Sequence, residues 1–203
     1  MKTTHRMLLA VAVIGVLAVA QPASAHQSAA PSRHVRSPSV VRMTFQGRPI
    51  DLSKGWGRAH SCVVWRAAHL TECFRSDRQM RAAVAAAITL IADDTDVAAS
   101  SCSSPLDLWQ DEGYSNRHLQ FWDRGFWQNL SNWSFNNQLS SFIVGACGVH
   151  LAENGNGGGL WYPCNTSAGA QHREMDLDDN NGGPPCGAQS TNWNDRVSSI
   201  FIT

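Results

Sequence analysis

FNNQLSSFIV, residues 135–144, sets two amides, two spacer residues and two serines directly ahead of an apolar run. Alone it reads as a polar turn entering a strand. WNDRVSSIFI, residues 193–202, repeats the order: an aromatic, an amide and an acid, two spacers, two serines and an apolar run. The two hexads, 136–141 and 194–199, identify an internal duplication, and the rest of each copy lies upstream. Trp109-x4-Tyr114-x-Asn116 stands 42 residues before Leu151-x4-Asn156-x-Gly158 (109 to 151), each followed by a strand-like run. The hexads are 58 residues apart (136 to 194), so the second copy carries 16 further residues (58 less 42), which fall between Cys164 and Cys186.

Around the duplication, helix formers thin out after Cys102 while Trp, Asn, Gly and Ser accumulate. LQFWD, FIV, VHL, LWY and IFI are short strand-like runs separated by turn residues. They predict an all-β unit of sandwich or barrel type over 101–203. The region before it has a different character. VVRMTFQGRPIDL, from Val40, predicts two short strands about a turn at Gly47; CVVW (62–65) and LTECF (70–74) predict a hairpin. Ser76-Asp77-Arg78-Gln79 is a capping box, and the Ala-rich helix it opens ends near Asp93. Residues 40–95 therefore read as a small α+β unit, a hairpin plus one helix, of a size that needs a staple or a neighbour.

The chain opens with Lys2, His5 and Arg6, an apolar run and Ala23-Ser24-Ala25, the order of a signal peptide over 1–25, so a secreted, extracellular protein is expected. Residues 26–39, rich in Ser and Pro, read as a flexible arm. No later segment approaches the roughly 20 apolar residues of a transmembrane helix. Lys+Arg and Asp+Glu are both 16, and no basic stripe with interleaved aromatics is present, so neither nucleic acid nor membrane is an expected partner. All six cysteines follow the expected cleavage site, which predicts disulfides. Six admit about 15 pairings. The hairpin suggests Cys62 with Cys73, and closure of the insertion suggests Cys164 with Cys186. Cys102 and Cys147, each just before the first strand of a copy, are then left to pair.

An aromatic, a second aromatic five residues on, a small residue, strands and finally a [N/D]-[N/D]-x-x-[S/T]-S hexad: over 101–203 this resembles the βγ-crystallin Greek-key family. The likeness is to the microbial secreted type, which also includes peptidase inhibitors of this fold, and it covers half of the chain. It implies a mainly β fold, a two-motif Greek-key βγ-crystallin-like sandwich with a pseudo-twofold, preceded by the α+β unit. The pattern is departed from at Asn116, where Gly is usual, and at Leu151 and Asn156, where aromatics are. In microbial members the resemblance implies a double clamp for two calcium ions. Carried over, Asn136, Asn137, the Gln138 carbonyl and Ser198 would hold one ion; Asn194, Asp195, the Arg196 carbonyl and Ser140 would hold the other. Such oxygens suit calcium, a hard cation that takes six to eight of them. With Asp195 the only anion among those side chains, the expected binding is weak, on the order of 10⁻⁴ to 10⁻³ M.

DLDDNNGG (176–183) fails as an EF-hand, with Asn181 where Gly is required and Gly187 where Glu is required, and reads as a solvated loop tip. Trp109, Trp122, Trp127 and Trp133 either build a core or, if exposed, stack on sugar. No G-x-S-x-G, H-E-x-x-H or P-loop is present, so an enzyme is not expected. Three classes of function follow. The first is a secreted calcium-binding βγ-crystallin-like protein whose ion braces the sandwich. The second is a secreted proteinase inhibitor acting on a protease through the loop between Cys164 and Cys186. The third is a cell-wall or glycan-binding module using surface Trp122 and Trp127.

Overall fold

The computed structural model describes residues 42–65, 70–91, 101–163, 173–178 and 192–203. The expected signal peptide and the arm lie outside these residues, as do Cys164, Cys186 and their expected disulfide; of the loop between those two cysteines, residues 173–178 are described. Within them, residues 42–74 form β1 (Thr44–Phe45), β2 (Arg48–Pro49), β3 (Ser61–Trp65) and β4 (Leu70–Phe74). Gln46 and Gly47, with φ of 52° and 73°, turn β1 back on β2, the left-handed turn whose twist matches its strands. β3 and β4 are the expected hairpin, with Cys62 opposite Cys73 and bonded to it. α1 (Asp77–Ile91) opens on a modified capping box. Ser76 Oγ accepts from the Gln79 N–H (3.4 Å), while the Gln79 side-chain oxygen accepts from the N–H of Arg75, one residue before the cap (3.1 Å).

The second half supplies β5 (Ser101–Asp111), β6 (Ser115–Asp123), β7 (Trp127–Asn129), β8 (Ser141–Ile143), β9 (Val149–Ala152), β10 (Arg173–Glu174) and β11 (Ser199–Ile202). One sheet has the order β10-β8-β5-β6-β3-β4-β1-β2; the other has β7-β11-β9, with a bridge from Ala152 to Trp161 beyond β9. The duplication explains both orders. In each copy the first strand (β5, β9) lies between the last (β8, β11) and the second (β6, the Trp161 bridge). The third strand (β7, β10) crosses to the other copy's sheet and pairs with its last strand. The result is a mainly β fold of two interlocked Greek keys. The second disulfide, Cys102 to Cys147, ties the start of β5 to the approach to β9.

The sequence did not announce the junction between the two regions. β3 pairs in parallel with β6, from Ser61 opposite His118 to Val64 opposite Phe121, so the hairpins of 42–74 extend the first Greek-key sheet. β3 is consequently buried on both faces. Cys62 and Val64 join Leu119, Phe121, Trp133 and Ile200 in the sandwich core, while Val63 and Trp65 join Trp122, Met80 and Val84 beneath α1. The same period of two puts His118, Gln120 and Trp122 of β6 on the helix side. Three layers result: α1, the large sheet and the small sheet.

Candidate cation-binding cleft at the paired hexads

Asn137 and Asp195, the second residue of each hexad, both take a left-handed backbone conformation with φ of 54°. From there each donates its N–H to the fourth residue of the other hexad: Asn137 to the Val197 carbonyl (3.1 Å) and Asp195 to the Leu139 carbonyl (3.0 Å). Asn and Asp tolerate this conformation better than other side chains, so backbone geometry already accounts for their presence. The last serine of each hexad is buried under the hairpin upstream of it. Ser141 Oγ donates to the Asp111 carbonyl (2.6 Å) and accepts from the Tyr114 N–H (3.1 Å). Ser199 Oγ likewise donates to the Asn154 carbonyl (2.6 Å) and accepts from the Gly157 N–H (3.0 Å).

These equivalences correct the register of the duplication. Asp111 corresponds to Asn154 and Tyr114 to Gly157, an offset of 43 (111 to 154) and not 42. The positive-φ residues agree: Gly113, Tyr114 and Asn116 match Asn156, Gly157 and Gly159. In the first copy Tyr114 packs edge-on against Trp109, 5.2 Å between ring centroids. In the second, a Cβ at Gly157 would lie 2.3 Å from the ring of Trp127, which arrives from β7 and packs edge-on against Trp161 at 5.4 Å. The aromatic is supplied by a different strand, so a search at fixed spacing had to miss it.

Where the hexads meet the hairpin ends, the two copies differ chemically. One cleft is lined by Gln138 and Ser140 of the first hexad, Asn194 and Asp195 of the second, and Gln110, Asp111 and Glu112 at the end of β5. Ser140 Oγ donates to the Gln110 carbonyl (2.6 Å). Burial, and then the charge of Asp111, push the Asp195 carboxyl above its ordinary pKa, as expected of carboxylates that repel one another. Asn194 Oδ1 is buried with no hydrogen-bond partner. Leaving an amide oxygen so costs about 1–3 kcal/mol, which a bound cation would offset. At the duplicated position the protein supplies its own cation. The Arg196 guanidinium reaches Glu153, the counterpart of Gln110, at 2.6 Å, and holds its carboxyl below the ordinary value. Ser198 Oγ there donates directly to Asn137 Oδ1 (2.8 Å).

Of the eight residues expected to hold metal, Gln138, Ser140, Asn194 and Asp195 thus line one cleft, and Asn137 and Ser198 bond to each other. The Gln138 side chain accepts from Arg117 (2.9 Å) beside the acidic cleft, Asn136 is exposed, and the Arg196 side chain is engaged by Glu153 and the Asn192 carbonyl. Asp111 and Glu112 escaped the sequence reading because their nearness to the second hexad depends on how the copies interlock. Among the described residues no three His, Cys, Asp or Glu side chains converge as a metal cage. A cation in the acidic cleft would therefore draw on amide, hydroxyl and carbonyl oxygens besides carboxylates, a mixture calcium accepts.

The other expected sites sort by burial. Trp122 is buried and stacked on Trp65 at 4.8 Å, so it offers no face to a sugar; Trp127 is half-buried and Trp161 is 50% exposed. No helix among the described residues is long and apolar enough to cross a membrane. The two disulfides among the described residues fit an oxidising environment.

No family model and no curated protein matches the chain. Among solved structures, a βγ-crystallin from Ciona intestinalis is 17% identical over 49% of this chain and 100% of its own, with a TM-score of 0.36. The N-terminal domain of Protein S is 18% identical over 49% of this chain and 96% of its own, at 0.35. A βγ-crystallin domain from Flavobacterium johnsoniae is 21% identical over 48% of this chain and 92% of its own, at 0.32. The interlocked Greek keys and the paired hexads of the chain's own structure give its second half a βγ-crystallin-like fold.

Proposed function

We propose that this chain is an exported protein that binds a single calcium ion in the acidic cleft, and that the ion braces the two Greek keys. Ser140 with Asp111 from the first copy, and Asn194 with Asp195 from the second, would hold it. The ion supplies positive charge between groups that otherwise repel, and so links one copy to the other. The observation that carries this reading is the partnerless buried Oδ1 of Asn194 beside the crowded carboxylates of Asp195 and Asp111. One ion, in place of the two expected, is supported by the guanidinium of Arg196 at the duplicated position. Export is supported by the signal-type N-terminus and the two disulfides.

Calorimetric titration with calcium chloride, paired with thermal melting in calcium and in chelator, tests it. The expected result is one site with a Kd on the order of 10⁻⁴ to 10⁻³ M. At tenfold to hundredfold excess over Kd the ion adds about 1.4 to 2.7 kcal/mol of stability. Asp195→Asn keeps a residue that tolerates the left-handed backbone and removes the charge, so it should abolish the heat while leaving the calcium-free melting temperature nearly unchanged. A melting temperature indifferent to millimolar calcium, with no heat of binding, would sink the reading.

A further inference from the structure

On the helix side of the large sheet, α1, β5 and β6 border a second polar cleft of about 420 Å³, independent of the hexads and within the usual range for small-molecule sites. His118, 2% exposed, lies within it with Nδ1 on Asp77 Oδ1 and Nε2 on Asp107 Oδ1, both at 2.8 Å. Ser61 also donates to Asp77 Oδ1, and Gln120 donates to Asp107 Oδ1 at 2.9 Å, so both of those oxygens are committed within the protein. The donors are not. Trp109, stacked on the imidazole at 4.2 Å and 6% exposed, has its indole N–H buried without a partner. Arg173 of β10 is exposed at the same cleft, and Arg81 of α1 comes no nearer than 3.7 Å to Asp77.

We propose that this cleft binds a small carboxylate, with the Trp109 N–H and the Arg173 guanidinium as its donors and Arg81 at its mouth. A planar guanidinium matches a carboxylate in shape as well as charge. A cation or a sugar would instead need free acceptors, and the aspartate Oδ1 atoms are already engaged.

Proton–nitrogen correlation spectra of the isotope-labelled mature chain, recorded in chelator so that the hexads stay free of calcium, supply the test. The eight indole N–H groups report separately, and Trp109→Phe assigns the relevant one. Sodium acetate, glucose and methylammonium chloride are titrated at constant ionic strength. Acetate should move the Trp109 indole proton downfield in a saturable, millimolar response, and Arg173→Gln, at an exposed position, should weaken that response about tenfold. Glucose and methylammonium should leave the signal in place. No saturable shift with acetate, an equal response in Arg173→Gln, or saturation by glucose or methylammonium would each overturn the proposal.

Discussion

His118 holds its proton more tightly than a free imidazole because of where β6 puts it. Burial pulls its pKa down, but hydrogen bonds to Asp107 and Asp77, together with their charges, outweigh that and raise it above the ordinary 6.5. For Asp77, burial pushes the carboxyl up; bonds from His118 and Ser61 and the charges of His118 and Arg81 prevail and hold it at about 2. The stability due to a raised histidine is complete below its unfolded pKa of about 6.5 and is lost as pH climbs through the folded value. That due to Asp77 is complete above about pH 4 and is lost as pH falls towards 2. Urea midpoints should therefore form a plateau between about pH 4 and 6.5 and decline on both sides. His118→Ala should cost about 3–5 kcal/mol, since it leaves two partly buried aspartates facing each other, and should flatten the alkaline decline. A wild-type midpoint constant from neutral to mildly alkaline pH would refute the assignment. At this scale the sequence was readable where backbone conformation chose the residue, as at Asn116, Asn137 and Asp195, all with positive φ. It was silent on His118, whose side-chain partners stand on two other elements, Asp77 on α1 and Asp107 and Trp109 on β5.

The strands legible in the sequence, β3, β4, β6, β8, β9 and β11, carry apolar runs of their own. β7 and β10, three and two residues long, were not foreseen; they exist because an edge of the opposite sheet receives them. The disulfides act between such elements, with different reach. Cys62 to Cys73 closes 11 residues within one hairpin, whereas Cys102 to Cys147 closes 45 and ties β5 of the first Greek key to the approach to β9 of the second. In the chain-entropy model these loops are worth about 3 and about 4 kcal/mol. Replacing each pair with serine should lower the guanidinium midpoint in both cases, and more for Cys102 with Cys147. Equal losses would show that loop length does not govern these two bonds.

At the scale of the molecule, β6 is buried along Leu119 to Asp123, which neither Greek key alone would require. Its sandwich face belongs to the second half of the chain; its other face needs Trp65 against Trp122, Met80 and Val84 beneath α1, and Asp77 on His118. Residues 101–203 produced alone should therefore expose Trp122 and the β6 edge, and should aggregate or melt without a sharp transition, whereas residues 40–203 should melt cooperatively. A soluble monomer with a sharp transition in gel filtration and near-ultraviolet circular dichroism would show the α+β unit to be dispensable.

By itself the sequence determined what is local or repeated: the duplication and its hexads, the hairpin and its disulfide, the capped helix, and the mainly β character of 101–203. These follow from side-chain period, turn chemistry and cap chemistry, each set within a few residues. Only the tertiary structure decided the 43-residue register, the parallel joint of β3 to β6, the contrast between the acidic cleft and the Arg196–Glu153 pair, and the His118 network. Each of those rests on contacts between segments tens of residues apart, such as Trp127 on Gly157 or Asp195 near Asp111. No spacing in a linear chain specifies such contacts until packing brings the segments together.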